Sequence, residues 1–405
     1  MKVLVIGAGV GGLACAIGLR AAGHEVEVFE HADQLRTGGN GMILWPNGTG
    51  ILGEFGVSLD GLGTRLDRSV QLAQDGSPLG EADWTEVAEY YQASVRLVRR
   101  GRLVERLAES LPADVVRFGA RCVSAETRGT GDQARAVATF ADGTEVVGDV
   151  LIGADGHRSA VRRHLLGDHP AAHTGWATWH GVTALPVPLT SGHEVNAFGG
   201  PAGWVALHPV GEGLLFWAFE TPWTDGELVP PGALGDEPEP GRTQSAAANL
   251  RARFAGFPHP VPELLEVIED QDVGLFPHVM HRAPRRWGEG RVVLVGDAAH
   301  VVPPRVAQGV NQALEDAWVL SGLLRESGDP AALLKRYATV RKPKIRALWM
   351  VAKMADNDFG GKVLRTVAKV GRQASPRAQK RNFRYFSNYL SQKSKNMREL
   401  ARDTA

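Results

Sequence analysis

The chain has 405 residues, of which 43% are hydrophobic, and its formal net charge is zero. This length and apolar content exclude a disordered chain and suffice for two domains with a C-terminal extension. The balanced charge favours neither nucleic acid nor an anionic membrane as a partner, and no run reaches the roughly 20 apolar residues of a membrane span. Cys15 and Cys122 form neither a disulfide framework nor a metal set, so we expect a cytoplasmic protein.

The first thirty residues predict a strand, a glycine-rich turn, a helix and a second strand. Residues 2–6 are apolar and β-branched, which is typical of a strand buried on both faces. The helix is expected to reach about Ala22 and to end at Gly23. The segment "EVEVFE" (25–30) then predicts the second strand, which a signal peptide would leave unexplained.

Gly7, Gly9 and Gly12 form a G-x-G-x-x-G motif in that turn. The first glycine permits a tight turn, the second lets a pyrophosphate approach the backbone, and the third lets helix and strand pack closely. The helix N-terminus adds amide donors and a favourable dipole. Glu30, at the end of the second strand, is placed to accept hydrogen bonds from ribose hydroxyls. The unit predicts a dinucleotide site without separating NAD from FAD.

Further segments also predict helices and buried strands. Asn47 is predicted to cap a helix that runs toward Phe55, and the apolar spacing of residues 101–111 fits one helical face. "DVLIGADG" (149–156) and "RVVLVGDAAH" (291–300) each predict a buried strand that ends in a turn.

The middle of the chain has a different texture. Residues 174–220 alternate and are rich in Trp, Val and Thr, which predicts antiparallel strands. Residues 222–244 are rich in Pro, Gly and acidic residues and predict a loop. From Leu314 onward the pattern is mostly helical.

Three separated stretches resemble the single-component, FAD-dependent aromatic-ring monooxygenases with the para-hydroxybenzoate hydroxylase fold. They are "GAGVGGLACAIGLRAAGHEVEVFE" (7–30), "DVLIGADGHRSAVRR" (149–163) and "GDAAHVVPPRVAQGVNQALEDA" (296–317), with "RRGRLVERL" (99–107) as a shorter fourth. The resemblance implies an α/β fold with a Rossmann-like FAD-binding domain, an inserted β-sheet substrate domain and C-terminal helices. It assigns residues 1–70, 98–170 and 282–325 to the FAD-binding domain, 71–97 and 171–281 to the substrate domain, and 326–405 to the helical region.

The last stretch carries most of the implied flavin contacts. The family's acidic residue there holds a ribityl hydroxyl of FAD, and Asp297 matches it. The Pro pair ending in Pro304 resembles the loop that shapes one side of the flavin ring. A helix then begins, and its first amides would face the ring's pyrimidine edge and stabilise negative charge there; they belong to Gly309, Val310 and Asn311.

Two residues in this stretch depart from the family. Val306 and Ala307 stand where many relatives carry glycines. Side chains at these positions would crowd the ring, restrict its movement or narrow the access of oxygen, but FAD binding is still expected.

Other positions match weaker features of the family. Arg100 matches an arginine that reaches the phosphate or ribityl region of FAD, with Arg99 and Arg102 as neighbouring alternatives. Asp155, in "ADGHRS", matches a fingerprint linked to FAD and to the pyridine nucleotide, where it acts mostly through turn geometry; a purely structural turn is the alternative.

Two contacts with the adenosine are also implied. Val123 falls at the strand position whose backbone meets the adenine. Arg36 is either close to the adenosine or a solvated surface residue.

The substrate side resembles the salicylate hydroxylase-like branch in "HTGWATWHGV" (173–182) and "PAGWVALHPVGEGLLFWAFE" (201–220). His180 stands where that branch frequently has the Arg of "WRG". If that Arg binds a carboxylate, a less acidic substrate is expected here; a His that faces the bulk of the sheet is the alternative. Trp204 and Trp217 are candidates for a flat aromatic pocket, or else for the core. No catalytic triad or metal cluster stands out, so no catalytic residue is assigned, as suits chemistry supplied by a cofactor.

The resemblance implies a monooxygenase that uses FAD, NADH or NADPH, and O2 to hydroxylate an aromatic or polycyclic small molecule through a flavin C4a-hydroperoxide. Epoxidation or Baeyer–Villiger oxygenation, and an oxygen-independent flavin reductase or dehydrogenase, are the alternatives. Only one full dinucleotide fingerprint is present, in keeping with a nicotinamide cofactor that binds transiently. The basic segment 362–402, which contains interleaved aromatic residues, predicts helices with an aromatic face on the protein body; docking of an acidic carrier protein is the alternative.

Overall fold

The computed structural model describes residues 1–38, 41–184, 191–211, 213–224, 245–281, 284–356 and 376–403. Its strands are β1 (Lys2–Ile6), β2 (Glu25–Phe29), β3 (Gly41–Leu44), β4 (Thr64–Leu66), β5 (Arg68–Ala73), β6 (Pro78–Asp83), β7 (Val95–Arg99), β8 (Val116–Arg117), β9 (Cys122–Arg128), β10 (Arg135–Phe140), β11 (Glu145–Gly148), β12 (Val150–Gly153), β13 (Ala172–Ala184), β14 (Glu194–Gly200), β15 (Gly203–Gly211), β16 (Leu214–Pro222), β17 (Gly274–Met280), β18 (Gly288–Glu289) and β19 (Val292–Leu294).

The helices lie mostly around these strands and at the C-terminal end. They are α1 (Val10–Ala21), α2 (Pro46–Glu54), α3 (Thr85–Tyr91), α4 (Arg100–Glu109), α5 (Ala160–Leu166), α6 (Ala246–Phe254), α7 (Val261–Val267), α8 (Asp297–His300), α9 (Gly309–Leu324), α10 (Pro330–Asp356), α11 (Pro376–Tyr385) and α12 (Asn388–Asp403). In the described part of the chain, no helix is both long and apolar enough to cross a membrane.

A six-stranded sheet forms the first core, in the order β18-β19-β12-β1-β2-β8. β1 pairs in parallel with β12 and β2, and β12 pairs in parallel with β19. Every residue of β12 and β19 is buried, as expected for strands covered on both faces. The structure therefore confirms the α/β class. It also confirms the strands predicted in segments 2–6, 25–30, 149–156 and 291–300.

A seven-stranded sheet, in the order β17-β13-β16-β15-β14-β5-β6, forms the second core. The strands predicted within residues 174–220 are confirmed as antiparallel neighbours. One face of this sheet packs against α6 and α7 through residues such as Trp217, Phe219 and Phe254. The opposite face, called the inner face below, carries His180, Phe216 and Glu220. It packs through Phe216 against residues of β4 and β7, such as Leu66 and Leu97. Residues 225–244 of the predicted loop lie outside the described residues.

One local prediction is wrong. Asn47 does not cap the helix toward Phe55, because α2 begins at Pro46 and Trp45 occupies the capping position. Proline suits the first turn of a helix, where no N–H is needed. Asn47 is instead buried, and its Nδ2 donates to Glu315 Oε1 at 3.2 Å.

The domain division remains a proposal. The boundary after residue 70 falls inside β5, and the boundary after residue 97 falls inside β7. β5 belongs to the seven-stranded sheet, whereas β7 pairs with β3 and β4 in a small separate sheet. Boundaries placed between these elements would keep each strand in one domain together with the sheet to which it belongs.

The C-terminal helices α11 and α12 pack on the body through aromatic side chains, as predicted for the described residues 376–403. The Phe383 ring lies 5.4 Å from the Trp45 ring between centroids, and Tyr389 and Leu390 are buried. Tyr385 differs from the prediction, because 60% of it is exposed.

A buried ionic network connects the helices around the first domain. Arg341 of α10 donates from Nε to Asp316 Oδ1 at 2.6 Å and from a terminal nitrogen to Glu315 Oε2 at 3.2 Å. All three side chains are fully buried. Asp316 Oδ2 also lies 2.6 Å from His300 Nε2. Burial alone would raise the pKa of Asp316, but His300 and Arg341 hold it at about 2.

The loop between α8 and α9 contains a conformational constraint. Ala307 has φ of +47°, a left-handed conformation that a residue with a Cβ rarely adopts. Its carbonyl accepts hydrogen bonds from Trp45 Nε1 at 2.8 Å and from Asn311 Nδ2 at 3.1 Å. These two donors hold the carbonyl, and with it the strained loop, in place.

We expect Arg341→Met to lower the free energy of unfolding by about 3–5 kcal/mol, because it leaves two buried carboxylates without their cation. Chemical denaturation of both proteins measures the loss. Arg336→Met is the matched control on the same helix, since Arg336 pairs with Glu326 at an exposed position and should cost at most about 1 kcal/mol. Equal losses for the two variants would contradict a structural role for the network.

We expect Ala307→Gly to raise the free energy of unfolding by up to about 1 kcal/mol, because glycine has no Cβ to oppose the left-handed conformation. Thermal or urea unfolding provides the measurement. Ala332→Gly, at an exposed helical position in α10, should instead lower it by about 1 kcal/mol. A loss at position 307 as large as that at position 332 would mean that Ala307 is not strained.

Candidate functional site

Four loops meet at one edge of the six-stranded sheet. β1, β2, β12 and β19 run parallel, so the residues that follow them lie at the same edge. These residues are Gly7, Glu30, Asp155 and Asp297. In open α/β sheets, ligands bind outside the carboxyl ends of the strands.

The glycine loop has the geometry that its motif predicts. Gly7 has φ of +104°, and a Cβ there would lie 2.5 Å from the Ala154 carbonyl oxygen. A Cβ on Gly12 would lie 1.9 Å from the Gly7 carbonyl oxygen, so close packing requires glycine at this position. The Cβ position of Gly9 has no atom within 4 Å, and no side chain caps α1 at this residue. The N-terminus of α1 is therefore open to a ligand.

Glu30 is fixed beside this loop. One of its carboxylate oxygens accepts from the Ala8 N–H at 2.8 Å, and the other accepts from the Ala32 N–H at 3.0 Å. His31 Nδ1 lies 2.8 Å from the second oxygen. The backbone thus orients a largely buried carboxylate next to the open helix N-terminus.

The side chain of Asp155 acts within the fold. Its Oδ2 accepts from the Ala160 N–H at 2.7 Å at the start of α5, and its Oδ1 accepts from the Ser159 hydroxyl. Burial raises the pKa of Asp155, although these hydrogen bonds oppose the shift. Both oxygens are used in shaping the turn, which agrees with a role through turn geometry.

Arg162, in the same motif, was missed by the sequence analysis. Its buried guanidinium donates to the carbonyls of Ala298 and Ala299 at 2.9 and 3.0 Å. The second motif therefore holds the short helix α8 that begins at Asp297. Only its position inside the "DVLIGADGHRSAVRR" stretch could have indicated Arg162.

Asp297 is accessible to solvent. Partial desolvation by the protein nevertheless raises its pKa, and the charges of His300, His157 and Arg100 oppose the rise. His157 was not predicted, although it belongs to the second motif. An accessible acid with imidazole and guanidinium groups nearby can accept hydrogen bonds from a polyhydroxylated ligand.

Arg100 binds the backbone of the segment that follows β2. Its guanidinium donates to the carbonyls of Arg36 and Gly38 at 3.1 and 3.2 Å. Burial and the charge of Arg36 lower its pKa, whereas Asp297 and Glu30 raise it. Arg100 therefore lies within electrostatic reach of both acids.

The neighbouring arginines point elsewhere. Arg102 pairs with Glu105 at 2.6 Å, and Arg99 is exposed. The side chain of Arg36 is also exposed and donates to His31 Nε2 at 2.7 Å. Val123, at the second position of β9, is 49% exposed.

The N-terminus of α9 presents backbone groups. Gln308 precedes the helix without a side-chain cap, and the Cβ position of Gly309 has no atom within 4 Å. The Asn311 side chain is used internally, accepting from the Trp45 N–H at 2.9 Å and donating to the Ile43 carbonyl at 2.9 Å. Any contact between Asn311 and a ligand is therefore made by its backbone. Pro304 is exposed on the adjoining loop, and Val310 is half-buried.

His180 and His208 lie on the inner face beside Phe216, with ring centroids 6.5 and 5.5 Å from that ring. Burial lowers the pKa of each imidazole to about 4, so both are uncharged at neutral pH. His208 was not predicted. Trp204 is half-buried and packs against Gly199 on the same face.

Trp217 occupies the core, which is the alternative that the sequence left open for it. Its side chain is fully buried in the core on the helix-covered face of the sheet, and its Nε1 donates to Thr183 Oγ1 at 2.8 Å. Successive residues of a strand point to opposite faces, so Phe216 faces inward while Trp217 packs against α6 and α7. Trp217 is therefore a core residue, and its side chain lies on the opposite side of the sheet from the inner face.

Arg305 joins the loop after α8 to the seven-stranded sheet, a contact that no local sequence pattern predicts. Its Nε donates to Glu220 Oε2 at 2.7 Å, and its guanidinium carbon lies 3.9 Å from the centroid of the Trp176 ring. The loop after Pro304 is thereby attached to the inner face of the sheet.

These groups fit FAD. The open N-terminus of α1 suits a pyrophosphate, Glu30 suits a ribose, Asp297 suits the ribityl chain, and the N-terminus of α9 suits the flavin ring. No group of three or more His, Cys, Asp or Glu residues that could hold a metal occurs among the described residues.

Comparison with known proteins agrees with this fit. Residues 1–352 match the family described as "FAD binding domain". The chain is 35% identical to 3-amino-4-hydroxybenzoate 2-monooxygenase PtmB3 of Streptomyces platensis, over 88% of each chain. It is 30% identical to an FAD-dependent urate hydroxylase of Klebsiella pneumoniae, over 87% of this chain and 89% of that protein. The crystal structure of Klebsiella pneumoniae HpxO complexed with FAD and uric acid superposes with a TM-score of 0.81 at 27% identity, covering 96% of each chain.

The site geometry, the family match across most of the chain and these hydroxylase relatives lead to one conclusion. The protein is an FAD-binding oxidoreductase that belongs to the family of flavin-dependent aromatic monooxygenases.

Proposed function

We propose that this enzyme uses NADH or NADPH and O2 to hydroxylate a small aromatic or polycyclic molecule that binds between the flavin and the inner face of the seven-stranded sheet. The observation that carries this proposal is that one ion pair connects two surfaces of different chemistry. The carboxyl edge of the first sheet offers charged and backbone groups suited to FAD, and the inner face offers aromatic rings and uncharged imidazoles. Arg305 connects the two surfaces at Glu220.

Within the proposed cofactor site, each residue has a separate task. The backbone at Gly7, Gly9 and Gly12 admits the pyrophosphate, and Glu30 accepts from the adenosine ribose. Asp297 accepts from the ribityl chain, with Arg100 close enough to bind phosphate or to hold Asp297 ionised. Bound FAD supplies the redox chemistry and the activation of oxygen.

The substrate side has a different task, which is to hold an aromatic ring and exclude water. The Phe216 ring, the Trp204 indole and the His180 and His208 imidazoles provide apolar area and hydrogen-bonding nitrogens. His208 Nδ1 is buried and has no hydrogen-bond partner among the described residues. A hydroxyl or amino group on the substrate is a suitable partner for these imidazoles.

The compartment and partners follow as further proposals. Cys15 and Cys122 are buried free thiols, which suits the reducing cytoplasm. An acidic carrier protein that delivers the substrate stays a proposal as well, supported by the basic residues exposed on α11 and α12, such as Arg377, Arg381 and Lys395.

The function is tested by mixing the FAD-loaded protein anaerobically with NADH and with NADPH, in the presence and absence of phenols and polycyclic aromatics. We expect one nicotinamide cofactor to bleach the flavin bands, and one aromatic compound to accelerate bleaching. Admission of oxygen should then yield a hydroxylated product by mass spectrometry. Reduction without oxygen consumption would indicate a reductase or dehydrogenase, and a flavin that neither donor reduces would contradict the proposal.

Cofactor binding is tested at Gly9. We expect Gly9→Ala to fold normally, because its Cβ meets no protein atom within 4 Å, but to weaken FAD binding by about tenfold or more, because the methyl group lies where the pyrophosphate approaches. Fluorescence titration of the apoprotein with FAD measures the affinity. Gly53→Ala, an exposed helical position that is equally free of neighbours, should bind FAD normally; equal affinities for the two variants would exclude a phosphate site at Gly9.

A further inference from the structure

The inner face of the seven-stranded sheet is nearly free of charge. Among the described residues of β13, β15, β16 and β17 that point to this side, Glu220 is the only Asp, Glu, Lys or Arg. The histidines there are uncharged, because burial lowers the pKa of His180 and His208 to about 4 and that of His278 to about 3. The net charge of the inner face therefore depends on Glu220 and on the residue that pairs with it.

Arg305 is that partner, and it is already engaged. Its side chain is only 5% exposed, lies on the Trp176 ring and donates to Glu220 Oε2 at 2.7 Å. An arginine on the loop beside the flavin would otherwise be a strong ligand for a carboxylate on the substrate. Glu220 occupies this position and cancels the charge.

We propose that Glu220 is a specificity-determining residue, which neutralises Arg305 so that the site prefers an uncharged hydroxy- or aminoaromatic ring to the same ring bearing a carboxylate. This inference rests on the proposed function, because it assumes that an aromatic substrate binds at the inner face. It follows the general rule that selectivity arises from repulsion of the wrong ligand as well as attraction of the right one. A ring carboxylate near Glu220 meets a like charge, and the guanidinium of Arg305 already pairs with Glu220.

The test compares matched ligands that differ only in a carboxylate. Catechol is paired with 2,3-dihydroxybenzoate, and 2-aminophenol with 3-amino-4-hydroxybenzoate. Dissociation constants are measured for the FAD-loaded enzyme by calorimetry and by perturbation of the flavin spectrum, neither of which requires turnover. We expect the wild-type enzyme to bind the uncharged member of at least one pair about tenfold or more tightly, the effect of an unfavourable charge contact.

Glu220→Gln keeps the size and an acceptor oxygen but removes the negative charge. We expect it to lower the preference for the uncharged ring by about tenfold or to reverse it, because the positive charge of Arg305 is then no longer cancelled by the carboxylate of Glu220. The double variant Glu220→Gln/Arg305→Gln removes both charges and should return the preference toward that of the wild type. Because the double variant leaves no unpaired charge, it also controls for a folding defect in the single one.

Glu194→Gln is the matched control. Glu194 pairs with Arg68 at 2.6 Å on the same sheet but away from the inner face, so its loss should leave all four affinities unchanged. Binding of the carboxylated ring by the wild type as tightly as the uncharged one would overturn the inference, as would a Glu220→Gln preference equal to that of the wild type. If these rings bind and stimulate oxygen consumption without charge preference, only the inference fails; if none binds to any variant, it fails together with the proposed substrate class.

Discussion

The buried guanidinium of Arg341 is the contact on which the arrangement of the site depends. It binds Glu315 and Asp316 on consecutive residues of α9, and it also reaches Asn388 Oδ1 on α12 at 2.8 Å. Asp316 in turn accepts from the Gly296 N–H at 2.8 Å and contacts His300. One cation thus fixes both ends of α8, the direction of α9 and the docking of the C-terminal helices. A charge with no access to water must keep its partners, so these elements cannot shift independently.

A second set of contacts fixes the loop between α8 and α9. Asn311, near the start of α9, binds the backbone of β3 and the strained Ala307 carbonyl. Arg305, two residues before Ala307, binds the inner face of the seven-stranded sheet. The loop between α8 and α9 is therefore held at once by Trp45 and Asn311 and by Glu220 of the seven-stranded sheet. Because Ala307 stands in a conformation that glycine would adopt more easily, this double attachment explains how the loop tolerates a departure from the family pattern.

The two sides of the site differ in electrostatic character. The carboxyl edge of the six-stranded sheet combines Glu30 and Asp297 with Arg100, which lies within electrostatic reach of each acid, and this suits a ligand with phosphate and hydroxyl groups. The inner face combines aromatic rings with imidazoles kept uncharged by burial and an ion pair of zero net charge. A largely uncharged surface of this kind suits the aromatic substrate that we propose.

The local sequence by itself determined the strand–turn–helix units, the need for glycine at positions 7 and 12, and the place of Glu30. Asp297 was singled out by the resemblance of its stretch to the family. These features depend on residues that are close in the chain, and parallel strands bring their carboxyl ends to one edge. The same reasoning predicted the antiparallel strands and the aromatic packing of the C-terminal helices.

Only the tertiary structure decided which side chains face the site and which serve the fold. Phe216 and Trp217 are adjacent in β16, so their side chains point to opposite faces of the sheet. Only the packing of the sheet decides which face the helices cover, and that face is the one with Trp217. Asn47 looked like a helix cap, yet it binds Glu315, 268 residues away. The partnership of Arg305 with Glu220 spans 85 residues and two domains. The physical reason is the same in each case: burial and charge pairing are set by elements distant in sequence, which no local pattern records.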